Sequence, residues 1–136
     1  MRRWLASPIG RFAPPLGLMA AIFYLSAQPD LGTDLGVWDT VLRKLAHMTE
    51  FGLLWLLWWR ALGYTRPALA VAIALGYAIS DELHQSFVDG RHGAVSDVAI
   101  DALGVGLAGL AVVVWHRRRR LGARRDPGRQ PAAVTD

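Results

Sequence analysis

The chain has 136 residues, enough for one domain and too few for two ordinary ones. Hydrophobic residues make up 53% of it, more than a soluble domain this small can hide, so the composition predicts a membrane protein. The absence of cysteine excludes disulfides and thiolate chemistry. The net charge of +4 would suit nucleic acid, but most arginines directly follow the apolar run Val98–Trp115. A basic cluster in that position is typical of a topology anchor beside anionic lipid, and we expect no nucleic-acid partner.

Four apolar segments of about 18 residues predict transmembrane helices. They are Ile9–Ser26, Leu45–Leu62, Ala68–Gln85 and Val98–Trp115. Gly63 and Pro67 indicate a tight turn that makes the second and third helices antiparallel neighbours. The sequence therefore predicts an all-α integral membrane bundle of four transmembrane helices over residues 1–116. A basic, disordered cytoplasmic tail is expected at 117–136.

The first apolar segment has a second interpretation, as a secretory signal peptide at Met1–Gln28. Its basic start and apolar core fit that interpretation, but Pro29 follows Ser26-Ala27-Gln28 too closely for a good cleavage site. We therefore expect a retained helix.

The distribution of basic residues predicts the orientation. The N-terminus, the turn between helices two and three, and the C-terminal tail hold 12 of the 15 basic residues. In a four-span protein these segments share one side, which the positive-inside rule makes cytoplasmic. We expect a multi-pass protein of the bacterial cytoplasmic membrane with both termini inside.

The third helix ends in polar residues at the predicted outer face. Ionisable residues at membrane depth are costly and call for a partner, a water-filled cavity or a function. Asp81, His84 and Gln85 stand at i, i+3 and i+4 and share one helix face. Glu82 lies about 100° around the helix from Asp81, and we expect it to face water or a headgroup.

Two further polar stripes are predicted at the same level. Lys44, His47 and Glu50 recur every three residues at the outer end of helix two. Asp97 and Asp101, at i and i+4, begin helix four, where Asp97 is favoured by the helix dipole.

These stripes support three chemistries. Acid–base catalysis is one, with a candidate set of His47, Glu50, Asp81, Glu82 and His84. Binding of an anionic ligand is another, with Lys44 and Arg91 as the cations and a candidate set of Gln28, Lys44, Gln85, Arg91, Asp97 and Asp101. Binding of a divalent metal is the third, with His47, Glu50, Asp81 and His84 as donors. No compact metal-binding signature is present, so the sequence does not determine whether there is a cofactor. The structural alternative is that the groups satisfy one another and only lock the helices together.

At these positions the chain resembles the VanZ-like family of small bacterial membrane proteins. The resemblance covers residues 18–110 and rests on four pieces in order. They are Phe23-Tyr24-Leu25-Ser26-Ala27-Gln28-Pro29, Lys44-Leu45-Ala46-His47-Met48-Thr49-Glu50-Phe51-Gly52, Ser80-Asp81-Glu82-Leu83-His84-Gln85-Ser86-Phe87, and Gly90-Arg91-His92-Gly93 with Ser96-Asp97, Asp101 and Gly104. Three positions depart from the pattern of the family. Arg43 stands where an acidic residue is usual, Asp89 where proline is usual, and Asp101 where asparagine is usual. The extra charge of Asp101 would strengthen a cation site or call for pairing with Lys44 or Arg91.

The resemblance implies a multi-helix membrane protein connected with teicoplanin-type glycopeptide response in the cell envelope. The expected partners are the lipid bilayer and a lipid-linked or peptidoglycan-precursor-like molecule, or the glycopeptide, at an outward-facing polar pocket. Both an enzyme and a non-catalytic binding or structural module remain open, as does the oligomeric state.

Overall fold

The computed structural model describes residues 7–28, 36–89 and 95–125, with side chains to residue 122. Within these residues the chain forms four α-helices and no strand. We number them α1 (Pro8–Ser26), α2 (Val37–Ala61), α3 (Pro67–Gln85) and α4 (Val95–Arg125). The predicted all-α class is confirmed.

Two of the helices are longer than the apolar segments that predicted them. The helix α2 begins at Val37 rather than Leu45, and α4 continues through the arginines after Trp115 to Arg125. Arginine is a good helix former, so the hydrogen-bonded backbone does not stop where the apolar run stops. The tail boundary predicted at residue 117 therefore does not coincide with the end of the helix, and residues 126–136 lie outside the described part.

Two helices, α1 and residues 95–122 of α4, are long and apolar enough to cross a membrane. The helices α2 and α3 carry most of the polar candidates, which lowers their mean hydropathy. Large apolar side chains cover the outer surface of the bundle, as shown on α4 by Leu103, Leu107 and Leu110, which are 60%, 54% and 59% exposed. Continuous apolar surface of this kind marks contact with a membrane or another protein.

Side-chain to backbone hydrogen bonds join the start of α1 to the end of α2. The Arg11 guanidinium donates to the Ala61 carbonyl at 3.1 and 2.7 Å, and Arg60 donates to the Gly10 carbonyl at 3.1 Å. The turn to α3 follows at once, with Gly63 and Tyr64 in the left-handed region at φ 68° and 60°. The predicted antiparallel turn is thus observed, and these helix ends lie at one end of the bundle.

The helix α2 is central and packs against each of the other three, most extensively against α4. The backbones of α2 and α4 approach closely where Gly52 faces Gly104, since a Cβ atom on Gly104 would collide with the Met48 backbone. Small residues allow this approach in membrane helix pairs. The opposite end of the bundle then gathers the end of α1, the first half of α2, the end of α3 and the start of α4.

Candidate functional site

The polar residues at that end separate into two clusters on different faces of α3. The first joins α2 to α4 through a histidine and an aspartate. The His47 Nδ1 atom lies 3.2 Å from Asp101 Oδ1, and the Asp101 side chain is fully buried. An imidazole next to a buried carboxylate is held in one orientation by that contact.

Glu82 of α3 completes the first cluster. One potential ligand atom from each of His47, Glu82 and Asp101 lies within 4.8 Å of the other two. We call these three residues the metal-type cluster, because they offer one imidazole and two carboxylates. The expectation that Glu82 faces water or a headgroup is wrong, since its side chain is only 7% exposed. The helix α3 is packed on more than one side, so a residue one position from Asp81 is buried against other neighbours.

The second cluster joins α3 to α1, and we call it the Ser26 network. Ser26 Oγ donates to Asp81 Oδ2 at 2.9 Å, and Gln85 Nε2 donates to the same oxygen at 2.8 Å. Gln85 Nε2 also lies 3.3 Å from Ser26 Oγ, so the three side chains close a small ring of hydrogen bonds. All three are buried. The ring satisfies Asp81 Oδ2 internally, as a packing contact does, whereas Asp81 Oδ1 is buried without a hydrogen-bond partner in the described residues.

His84 lies on the α1 side of α3, near the Ser26 network. Its ring stacks on Phe23 with centroids 4.3 Å apart, and its Nε2 is buried with no hydrogen-bond partner in the described residues. The predicted shared face of Asp81, His84 and Gln85 is thus observed. That face contacts α1, whereas Glu82, on another face of α3, belongs to the metal-type cluster.

A cavity of about 170 Å³ opens between α1 and α2 beside both clusters. Ile22, Leu25 and Ala46 form its apolar wall, and its polar lining consists of Ser26, Arg43, His47 and Glu50. Arg43 also forms an ion pair with Asp39 at 2.9 Å. The cavity therefore presents an apolar side and a polar side to any molecule that enters it.

Four of the predicted binding residues are not in these clusters. Lys44 is exposed and has no ion pair among the described residues, and Gln28 Nε2 donates to the Tyr24 carbonyl of its own helix at 3.0 Å. Asp97 is half-buried and accepts a weak 3.4 Å hydrogen bond from Ser96. Arg91 lies outside the described residues.

Asp101 contacts His47 and not Lys44, so the expected pairing with Lys44 is not observed, and the alternative pairing with Arg91 lies outside the described residues. Lys44 stands three residues before His47, but three residues correspond to only about 300° of helix rotation. That offset turns Lys44 out of the bundle. The even spacing of Lys44, His47 and Glu50 therefore did not place all three residues at the site.

The structure shows that two further residues, Ser26 and Glu82, are members of the buried clusters. Ser26 belongs to the sequence motif Phe23–Pro29 but was not a predicted site residue. Its hydrogen bond to Asp81 makes it a member of the buried network. Helical spacing placed Glu82 about 100° away from Asp81, so the sequence did not predict that it lies close to His47 and Asp101. Its burial had one sequence signal, namely a charge next to Asp81 in an apolar helix.

The two clusters differ in what they can do chemically. The imidazole and carboxylates of the metal-type cluster can exchange a proton with a ligand in the neighbouring cavity or hold a cation. The Ser26 network offers amide, hydroxyl and carboxylate groups that already bind one another.

Comparison with known proteins agrees with the resemblance noted in the sequence. The model of the VanZ/LLP1 family matches residues 10–116. The curated relative YwnJ, an uncharacterized membrane protein of Bacillus subtilis (strain 168), is 34% identical over 107 residues, which are 73% of this chain and 74% of the relative. No solved structure matches the chain. The predicted family is therefore confirmed, and the chain belongs to the VanZ/LLP1 family of membrane proteins.

Proposed function

We propose that this protein binds or acts on a lipid-linked, peptidoglycan-precursor-like molecule at the outer face of the bacterial cytoplasmic membrane. The observation that carries the proposal is the cavity between α1 and α2, whose apolar wall adjoins His47 and Glu50. A lipid-linked precursor has the same two-part chemistry, with an apolar chain and a polar headgroup. Envelope or glycopeptide response of the teicoplanin type is the biological context that we infer.

The proposal includes four membrane spans with both termini in the cytoplasm. The contacts of Arg11 and Arg60 support a common side for the start of α1 and the end of α2. The arginines that follow Trp115 favour the cytoplasm for the end of α4. The cavity and both polar clusters then lie toward the outer leaflet, where envelope precursors are used.

Within this proposal the metal-type cluster, with Glu50, carries the chemistry. As an enzyme without a bound metal, His47 would exchange a proton with the ligand, and Asp101 would orient its ring. As a binding module, the same groups would contact the headgroup without turnover. Asp81, His84 and Gln85 would support the site by fixing α3 against α1.

The second candidate is a packing module with no ligand, which the closed Ser26 network favours. Hydrogen bonds between membrane helices stabilise a bundle by about 0.6 kcal/mol each on average, so a few suffice for a packing role. That explanation accounts well for Ser26, Asp81 and Gln85. It accounts less well for a polar cavity beside them.

Native mass spectrometry in nanodiscs tests the proposal directly. The full-length protein is incubated with an undecaprenyl-diphosphate-linked disaccharide peptide and, as a control, with phosphatidylglycerol. We expect the precursor to be retained preferentially and His47→Gln to lose that preference. Equal retention of both lipids by the wild type would contradict the proposal. An unchanged preference in a folded His47→Gln would show that the precursor does not bind beside His47.

A susceptibility assay compares the two candidates in cells. His47→Gln and Ser26→Ala are expressed to equal membrane levels in a strain lacking the wild-type gene. We expect His47→Gln to alter teicoplanin susceptibility more than Ser26→Ala, because the Ser26 hydroxyl is already hydrogen-bonded to Asp81. If neither variant alters it at normal protein levels, the envelope role of this site is excluded.

A further inference from the structure

We propose that His47, Glu82 and Asp101 form a binding site for a divalent transition-metal cation such as Zn²⁺ or Mn²⁺. One imidazole and two carboxylates form a donor set that suits these borderline cations. Three different helices supply the ligands, so the bound metal would also join α2, α3 and α4. This site goes beyond the proposed function, because metal binding does not require a lipid-linked ligand.

The geometry is close to that of a metal centre. The potential ligand atoms lie within 4.8 Å of one another, whereas donors around one metal at about 2.1 Å are about 3.4 Å apart. Small rotations of side chains that already face one another would close that gap. His47 and Asp101 are in contact at 3.2 Å before any metal is considered.

The Asp101 carboxylate is the independent sign that a ligand is expected here. Its side chain is 0% exposed, and Oδ1 faces His47 in the cluster. The second oxygen, Oδ2, is buried without a hydrogen-bond partner in the described residues. A buried carboxylate oxygen without a partner is costly, and a cation is one group that removes the cost.

The surrounding charge also favours a cation. Asp81 lies within electrostatic range of His47 and Asp101 and adds further negative charge. Neither Asp81 nor Asp101 has a lysine or arginine partner in the part of the chain that the structure describes. Positive charge from a metal would offset the charge of the buried Asp81 and Asp101 side chains.

A bound cation would give the pocket a second positive group for binding phosphate, in addition to Arg43, which lines the cavity. Carboxylates alone repel an anionic headgroup, whereas a metal that they hold can bind a phosphate oxygen directly. This link to the headgroup rests on the proposed function, although metal binding itself does not.

Metal binding is measured on the full-length protein in detergent, stripped with chelator and then titrated with Zn²⁺ and separately with Mn²⁺. Elemental analysis gives the stoichiometry, and competition with a fluorescent metal indicator gives the affinity. We expect one equivalent of at least one of these metals. Glu82→Gln and Asp101→Asn should each weaken its binding by at least about tenfold, the scale of loss seen on altering ligands or their supporting groups.

Asp97→Asn is the matched control, since it removes the same charge from α4 one turn away from Asp101. We expect it to weaken binding by less than about threefold, because only long-range attraction is lost. If the Asp97 and Asp101 variants lose equal affinity, or if neither metal binds at one equivalent, the proposed site is excluded.

Thermal unfolding keeps the test valid if a variant is poorly stable. At one metal concentration near the wild-type Kd, the metal should raise the melting temperature of the wild type and of Asp97→Asn more than that of Asp101→Asn, because the stabilisation depends on the metal concentration relative to Kd. An equal increase in all three would overturn the assignment. Precursor retention is measured with and without metal. If the protein binds metal but no precursor, the proposed function is rejected and the metal site stands. If the protein binds precursor but no metal, the metal site is rejected and the proposed function stands.

Discussion

His47 on α2 and Asp101 on α4 contact each other at 3.2 Å, and this contact joins the central helix to its most extensive neighbour. Asp101 is fully buried, whereas His47 retains 17% side-chain exposure. The pair therefore has one member in the protein interior and one beside the cavity between α1 and α2. This position allows one contact to serve both packing and chemistry.

Replacing Asp101 should destabilise the bundle. We expect Asp101→Ala to lower the free energy of unfolding by about 1–2 kcal/mol, because it removes a buried partner of His47 and leaves a small cavity. Asp97→Ala, at a half-buried position on the same helix, should cost less than about 0.5 kcal/mol. Reversible denaturation in mixed micelles measures both. Similar losses in the two variants would contradict the structural role of Asp101.

The α2–α4 contact should not tolerate a side chain at Gly104. A Cβ atom there would meet the Met48 backbone, so we expect Gly104→Ala to cost about 1–3 kcal/mol as the helices move apart. Gly106 has open space around its Cβ position, which makes Gly106→Ala the matched control. That variant should be neutral or slightly stabilising, since alanine is the better helix former. Melting temperatures in detergent that fall equally for both variants would contradict the close approach.

The Ser26 network should contribute more to stability than to ligand binding. We expect Ser26→Ala to lower the free energy of unfolding by about 0.6–1.7 kcal/mol, because Asp81 loses one of its two hydrogen-bond donors. Precursor retention by the folded fraction should fall less than in His47→Gln, because the Ser26 hydroxyl, although it lines the cavity, is already hydrogen-bonded to Asp81 and Gln85. The exposed Ser80 provides the control, and Ser80→Ala should affect neither quantity. A loss of retention in Ser26→Ala as large as that in His47→Gln, at wild-type stability, would contradict this mainly structural role.

The proposed orientation can be tested by labelling single cysteines, because the chain contains none of its own. Phe87 follows α3 and is 80% exposed, and Thr65 lies in the exposed turn before α3. We expect Phe87→Cys to react with a membrane-impermeant maleimide in intact cells. Thr65→Cys should react only after the membrane is opened. The reverse pattern would overturn the orientation and the outward-facing pocket.

Lys44 should make little contribution to either stability or ligand binding. Its side chain is exposed and has no ion pair in the described residues. We therefore expect Lys44→Gln to change the free energy of unfolding by less than about 0.5 kcal/mol and to leave precursor retention unchanged. His47→Gln, one turn further along α2, is the comparison in the same assays. A strong loss of retention in Lys44→Gln would restore it to the candidate site.

Sequence alone was sufficient for the number and order of the helices in the described residues, for the family and for the end of the bundle where polar residues gather, but not for the start of α2 or the end of α4. Apolar runs with a period and length suited to helices, and the turn at Gly63, depend on neighbours close in the chain. The proline and glycine positions that interrupt those runs are equally local. These properties could therefore be inferred before any tertiary contact was known.

Tertiary structure decided which polar residues meet. Helical spacing placed Asp81, His84 and Gln85 on one face, but it could not show that Glu82, on another face, is buried near His47 and Asp101. Burial depends on how each helix is rotated and packed against the others, and those contacts join residues distant in sequence. The division of the polar end into the metal-type cluster and the Ser26 network follows from that packing, because α3 contacts α1 on one side and α2 and α4 on the others.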